Sequence, residues 1–249
     1  MQEIKKQLEL LLVNYFRDCF PAFPKGKLVP SESPDFVLRS KYGKKIGIEL
    51  VRLHPDIPYS SLAEGEKSAF RFELIEEARE LFERTSSLKL FVKFQFSEKK
   101  SIPPERLLSL SVLAANLIRK AVANRNDKSF FYHLFPTVEL PKGLKQILIV
   151  HHPELSESVW EEANNLGISE NVVSDLHQVI QKKEEKYQLY QKQKLDDYWL
   201  LITSDWLRNT RNSNVDNRIF KEEFHSAFGS ILLFDLLKAK IHELKMPSF

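Results

Sequence analysis

Short apolar runs that alternate with helix-like segments restrict the fold of this chain more than any other feature. Four apolar runs have the length of strands, at 88–96, 145–151, 198–203 and 230–236. Three longer segments have the apolar periodicity or composition of helices, at 62–84, 103–123 and 175–194. Because strands that alternate with helices pack as a sheet covered by helices, this order predicts an α/β fold. We expect a three-layer α/β/α sandwich around a mixed central sheet.

The domain organisation follows from the same pattern. The sequence of 249 residues contains no internal repeat and no composition shift that would mark a linker. We therefore predict a single domain over 1–249, with a helical insertion near 100–140. Residues 2–18 have the apolar periodicity of an amphipathic helix, and the proline-rich segment after it predicts a loop.

Composition and charge exclude several classes of protein. A hydrophobic content of 43% with 29% charged residues fits a packed core and a soluble surface. The one cysteine, Cys19, excludes an intrachain disulfide, which suits a reducing compartment. No stretch approaches the roughly 20 apolar residues of a membrane span, so we predict a cytoplasmic protein without a membrane partner. A net charge of +3 does not by itself indicate nucleic acid.

Two acids occupy a predicted hairpin in the first fifth of the chain. Asp35 begins the strand DFVLRS, Glu49 lies within KIGIELVRL, and Gly43 suits the turn between them. If the turn centres on Gly43, the two acids lie near the same open end of the hairpin. Two carboxylates there can hold Mg²⁺ or Mn²⁺ through oxygen ligands, and Mg²⁺ so held activates water and stabilises charge on a phosphate. The alternative is an ordinary solvated turn.

The same residues resemble a known family. Pro34-Asp35, then a spacer, then Glu49 in an apolar strand is similar to the PD-(D/E)xK nuclease superfamily. More narrowly, ESPDF followed by IGIELVRL resembles bacterial and phage proteins of that superfamily that read PDF…IGIEV. The likeness spans most of the chain, loosely outside 32–53.

The resemblance implies a restriction-endonuclease-like fold and a hydrolase that cuts phosphodiester bonds, mostly of DNA, with Mg²⁺. It implies that Asp35 and Glu49 are metal ligands and catalytic residues. Many members that cut both strands pair two active sites, so the resemblance leaves a homodimer open.

The chain departs from the family pattern at the position two residues after the acid. The superfamily has a lysine there, which orients or activates the attacking water, whereas this chain has Val51. Related families supply the lysine from a neighbouring helix. Lys67 is our first candidate, because its helix directly follows the Glu49 strand, and Lys183 in a later helix is the second. Each of them falls within an apolar helix stripe; the alternative is that its stem packs at the helix edge with the ammonium in water.

Basic residues in the last third of the chain are candidates for nucleic-acid contacts. Lys186 lies in a lysine-rich helical segment, and Arg208 and Arg211 lie in the polar loop 208–218. Their composition suits phosphate and base contacts, and it equally suits a solvated helix face and an exposed loop.

Three classes of function remain open. The leading prediction is a metal-dependent nuclease. The second is a catalytically silent module of the same fold that binds nucleic acid or a partner protein, which Val51 favours. The third is a structural protein that binds no metal.

Overall fold

The computed structural model describes residues 2–53, 65–97, 102–163, 172–205 and 215–247. This part of the chain combines helices with mixed sheets, which confirms the α/β class. The α-helices are α1 (Gln2–Cys19), α2 (Gly65–Glu83), α3 (Leu107–Val122), α4 (Val172–Glu184), α5 (Tyr187–Gln191) and α6 (Val215–Lys221). The strands are β1 (Gly26–Pro30), β2 (Phe36–Ser40), β3 (Lys45–Arg52), β4 (Phe91–Phe96), β5 (Phe131–Leu134), β6 (Leu144–His151), β7 (Val159–Glu162), β8 (Asp197–Ser204), β9 (Ser230–Asp235) and β10 (Lys240–Glu243). Short 3-10 turns lie at Pro104–Arg106 and Thr137–Glu139.

The chain divides into two compact units. Unit 1 consists of Met1–Tyr15 and Ile57–Ala163, and unit 2 consists of Phe16–Asp56 and Asn164–Phe249. The division falls inside α1, after Tyr15. The single domain over 1–249 with an insertion near 100–140 stays a prediction.

Unit 2 contains a sheet in the order β1-β2-β3-β8-β9-β10. β2 and β3 form the predicted antiparallel hairpin, with Gly43 at a positive φ of 88° in its turn. β3, β8 and β9 are parallel neighbours, and β1 and β10 complete the edges in antiparallel pairing. The β3–β8 register places Glu49 beside Leu200.

Both faces of the unit 2 sheet are packed. Alternate side chains of β8 and β9 join one apolar core with α4 and α5: Leu176, Val179, Ile180, Leu200, Ile202, Ile231 and Leu233. The side chains between them in sequence point the other way, because successive residues of a strand face opposite sides. There, Phe16 in the last turn of α1 contacts Phe234 and Phe20 contacts Trp199, with ring centroids 5.7 Å and 6.4 Å apart.

Unit 1 contains a sheet in the order β5-β6-β4-β7. α2 and α3 pack on one of its faces in a core that includes Leu74, Phe82, Phe94, Ile118 and Ile149. Every residue of β4 is buried, including Lys93 and Gln95 on the face opposite Phe94. The Lys93 ammonium lies 2.6 Å from a carboxylate oxygen of Glu161 on the neighbouring strand β7.

The structure differs from the sequence-based expectations in three ways. The described strands form two sheets, one in each unit, where we expected one central sheet. The helix predicted over 175–194 is two helices, because the amide of Lys186 bonds to the carbonyl of Lys183, three residues back, and tightens the chain between α4 and α5. Four short strands were not predicted: β1, β5, β7 and β10. Among the described residues, no helix is long and apolar enough to cross a membrane.

Candidate functional site

Glu49 is a buried acid in the central part of the unit 2 sheet. Its strand, β3, lies between β2 and β8, and its side chain is only 7% exposed among apolar neighbours such as Ile48 and Leu200. A buried carboxylate costs several kcal/mol unless it is paired. A partner is therefore required on the face of the sheet to which Glu49 points.

That partner is Lys183 of α4. The apolar stripe of Leu176, Val179 and Ile180 continues by one helical turn to Lys183, which consequently faces the sheet. Its Nζ donates a hydrogen bond to Oε1 of Glu49 at 2.6 Å, and the lysine side chain keeps 19% of its surface exposed. The structure thus brings our second lysine candidate into direct contact with the predicted acid.

Asp35 adjoins this ion pair from the start of β2. The register pairs Phe36 with Ile48, so Asp35 and Glu49 occupy the next positions along the two antiparallel strands. The amide of Leu50 donates a hydrogen bond to Oδ2 of Asp35 at 2.8 Å, which fixes the half-buried carboxylate beside β3. Both predicted acids therefore lie at the same end of the hairpin.

Tyr190 adds a phenol to the group. Its side chain is buried, and its hydroxyl makes no well-formed hydrogen bond to any described residue. Burial raises the pKa of Tyr190 far above its usual value, and the nearby carboxylates of Glu49 and then Asp35 raise it further. The hydroxyl therefore stays protonated and can donate a hydrogen bond at the acidic end of the hairpin.

Gln193, which follows α5, makes hydrogen bonds to the segment before Asp35. Nε2 of Gln193 donates to the carbonyl of Ser33 at 2.6 Å and to the hydroxyl of Ser31 at 2.9 Å. These bonds connect the turn that carries Asp35 to the helical segment that carries Lys183 and Tyr190. The sequence analysis predicted neither that Tyr190 lies near Asp35 and Glu49 nor that Gln193 bonds to the turn before Asp35. A signal existed for Tyr190, which shares the apolar stripe of Lys183.

The lysine two residues after Glu49 is replaced by an apolar contact. Val51 is half-buried and packs against the core that α4 shares with the sheet. Val51 pairs with Ile202 in the β3–β8 register. No amine is therefore supplied at this position of β3, and the amine near Glu49 comes from the helix instead.

Among the remaining predicted site residues, only Lys186 has a described side chain. Lys67 belongs to α2 in unit 1, and its side chain is outside the described residues. Lys186 is exposed between α4 and α5. Arg208 and Arg211 lie outside the described residues.

The assembled group contains two carboxylates, one ammonium and one protonated phenol. Two carboxylates give hard oxygen ligands of the kind that Mg²⁺ takes, and Mg²⁺ usually keeps several waters as its other ligands. Among the described residues, no cluster of three or more His, Cys, Asp or Glu side chains has the arrangement of a metal site. Comparisons with protein-family models, curated proteins and solved structures each found no match to this chain.

Proposed function

We propose that this protein is a metal-dependent nuclease that hydrolyses phosphodiester bonds of DNA, with its active site in unit 2. The observation that carries the proposal is the 2.6 Å contact between Lys183 and Glu49 beside Asp35. The resemblance to PD-(D/E)xK nucleases requires two acids and one lysine at a hairpin end. This chain lacks the strand lysine, and Lys183 brings an equivalent amine from α4.

The architecture of unit 2 supports the same proposal. A mixed sheet that begins with an antiparallel hairpin, continues into parallel strands and carries side chains of helical segments on both faces fits the three-layer α/β/α sandwich of restriction-endonuclease-like proteins. In that arrangement Asp35 immediately precedes the second strand and Glu49 lies within the third.

The residues at the site fit a divalent cation. Asp35 and Glu49 would hold Mg²⁺ or Mn²⁺, and the buried hydroxyl of Tyr190 has hydrogen-bonding capacity left for a water at the same place. A bound Mg²⁺ supplies Lewis acidity, which lowers the pKa of water and offsets charge on the phosphate.

The side chains of the protein have separate roles in this proposal. The ammonium of Lys183 would orient the attacking water and offset negative charge at the phosphate, while it keeps Glu49 in position. Gln193 restricts the movement of the acidic hairpin end through its hydrogen bonds to Ser31 and Ser33. Lys186, Arg208 and Arg211 would contact the nucleic-acid backbone, and the phosphate charge makes such contacts weaken as salt increases.

A cleavage assay tests the proposal. The purified chain is incubated with supercoiled plasmid, single-stranded DNA and RNA, in Mg²⁺, in Mn²⁺ and in EDTA. We expect metal-dependent cutting of DNA that is lost in Glu49→Gln and in Asp35→Asn. Glu161→Gln is the matched control, because it removes one charge from a lysine–glutamate pair of equal length in unit 1. Absence of cutting on every substrate and with either metal would refute the nuclease.

A catalytically silent binding module is the second candidate. Val51 favours it, and so does the ion pair itself, because Lys183 already compensates the charge of Glu49 without any cation. This candidate predicts nucleic-acid or protein binding that persists in EDTA and in Glu49→Gln. Binding of that kind without cleavage would replace the first proposal.

A further inference from the structure

Helix α3 of unit 1 presents an apolar face to solvent. One side of the helix is buried through residues that include Leu110, Ala114 and Ile118. On the opposite side, Leu108, Val112 and Leu113 are large apolar residues that are exposed. A cluster of exposed apolar side chains on one helix face is typical of an interaction surface.

The sequence of this exposed face is symmetric about its centre. Reading outwards from Val112 and Leu113, Ser109 is matched by Asn116, exposed Leu108 by half-buried Leu117, and Glu105, in the 3-10 turn before α3, by Lys120. The two residues of each pair lie at equal distances in sequence from the midpoint between Val112 and Leu113. The face is therefore apolar at its centre, neutral and polar next to the centre, acidic at one end and basic at the other.

A second copy of this face is complementary to it. When two α3 helices lie antiparallel across a two-fold axis, Val112 meets Leu113 of the other copy, and Ser109 meets Asn116. Glu105 of each chain then lies opposite Lys120 of the other, so the pairing has two intermolecular ion pairs. A two-fold interface must be self-complementary in this way, because the same patch is used by both subunits.

We propose that the exposed face of α3 is a homodimer interface in which two copies of the chain pair through antiparallel α3 helices. Arg119, the basic neighbour of Lys120, does not compete with Lys120 for Glu105, because its guanidinium donates to Thr85, to Oδ1 of Asn116 and to the carbonyl of Leu81.

The dimensions of the face indicate a weak dimer. A helix of 16 residues is about 24 Å long, and one such helix pair reaches at most the lower limit of about 1,200 Å² for specific interfaces. We expect a monomer–dimer equilibrium that depends on protein concentration in the micromolar range. Its ion pairs are solvent-exposed, so dimerisation should also weaken as salt is added.

The test is sedimentation velocity of the full chain across about 1–200 μM protein at low salt, with no metal or nucleic acid added. Glu105→Lys and Lys120→Glu each place like charges opposite one another, and we expect each to weaken dimerisation about tenfold or more. The double variant Glu105→Lys/Lys120→Glu restores opposite charges and should return to within about threefold of the wild type. Lys128→Glu, a charge reversal at another exposed position of unit 1, is the control and should have no effect.

Three results would overturn the proposal. They are a wild-type chain that is monomeric at every concentration, single reversals that dimerise like the wild type, and a double reversal that stays as weak as the single ones. Val112→Asp provides an independent check, because it places a charge at the apolar centre and should remove the dimer. Since neither metal nor nucleic acid is present, the outcome does not depend on the proposed nuclease.

Discussion

Each unit contains a lysine–glutamate pair in which one partner is enclosed, and the two pairs have opposite arrangements. In unit 1, Lys93 is the enclosed partner, 1% exposed, while Glu161 is 32% exposed. In unit 2, Glu49 is the enclosed partner, 7% exposed, while Lys183 is 19% exposed. Both pairs have the same N–O distance of 2.6 Å.

The difference separates a structural pair from a candidate catalytic one. Lys93 and Glu161 lie on neighbouring strands, so each compensates the other across one ladder of the sheet. Lys183 instead reaches from a helix to a strand, towards an acid that has a second acid, Asp35, beside it. A sheet gains no packing from two adjacent carboxylates, and this arrangement is the kind that catalytic sites keep despite its cost.

The largest expected effect is on catalysis. Lys183→Met keeps an unbranched side chain as long as the lysine stem and removes the ammonium, and we expect cleavage to fall about 100-fold or more, as when a positioned catalytic group is lost. Lys93→Met removes the same group from the unit 1 pair and should leave cleavage per folded molecule within about threefold. The measurement is the rate of plasmid nicking in Mg²⁺, with folding checked by circular dichroism. Equal losses in the two variants would contradict the distinction between the pairs.

The next largest effect is on the free energy of unfolding. In unit 1 the glutamate variant should lose more stability than the lysine variant, and in unit 2 the lysine variant should lose more. Removing the exposed partner takes the opposite charge away from the enclosed group, which costs about 3 kcal/mol, whereas removing the enclosed partner leaves a charge that water can reach, which costs about 1 kcal/mol. Glu161→Gln should therefore destabilise more than Lys93→Met, and Lys183→Met more than Glu49→Gln. Urea unfolding of the four variants measures this. The same order of lysine and glutamate variants in both units would refute the explanation.

Divalent metal provides a third comparison. If Asp35 and Glu49 hold Mg²⁺, the ion stabilises the folded wild type by about 2.7 kcal/mol when its concentration is 100 times Kd. Asp35→Asn and Glu49→Gln should lose this stabilisation, and Glu161→Gln should keep it. Thermal melts over a Mg²⁺ titration, with Ca²⁺ and EDTA alongside, give the result. A gain that survives in both site variants would place the metal elsewhere.

The smallest effect is on the pH dependence of stability. Burial raises the pKa of Tyr190 above its unfolded value of about 10, so its contribution to stability is complete below pH 10 and is lost as pH rises further. Burial lowers the pKa of His133 in unit 1, with Arg125 also lowering it and Glu139 opposing, so its contribution is complete above pH 6.5 and is lost as pH falls. Tyr190→Phe should reduce the alkaline slope and His133→Asn the acidic slope, measured by urea unfolding across pH. An unchanged slope in either variant would contradict the assignment.

Much of the fold could be predicted from the sequence where one apolar period dominated. The hairpin of β2 and β3, strands β6, β8 and β9, and helix α1 lie within a few residues of the predicted ranges. Strand β1 was missed because prolines mark its segment as a loop, yet a proline is tolerated on an edge strand, where Pro30 ends β1. Apolar periodicity also carries no information on which strands pair, so it could not show that the strands divide into two sheets.

The site was predicted in part for a similar reason. Asp35 and Glu49 were found from the motif, and the apolar stripe of α4 placed Lys183 facing a core. Lys67 was ranked first because its helix follows β3 directly in the chain; that helix belongs to unit 1 and the Lys67 side chain is outside the described residues, so its role stays a prediction. Strand β4 shows the same limit, since its alternation predicted one apolar face while Lys93 and Gln95 are buried as well. Charge pairing such as that of Lys93 with Glu161 depends on strand neighbours, which a single sequence does not reveal.

The long chain segment between the two halves of unit 2 sets the order in which this protein can be completed during synthesis. Glu49 and Lys183 are 134 residues apart in sequence, and β3 can pair with its parallel neighbour β8 only after β8 has been synthesised. At about 5–20 residues per second, a ribosome adds Lys183 roughly 7–27 s after Glu49. The long segment of unit 1, Ile57–Ala163, is synthesised during that interval. Until β8 follows, the edge of β3 that will pair with β8 has no neighbouring strand. Chaperone protection of the nascent chain should therefore matter most in this period.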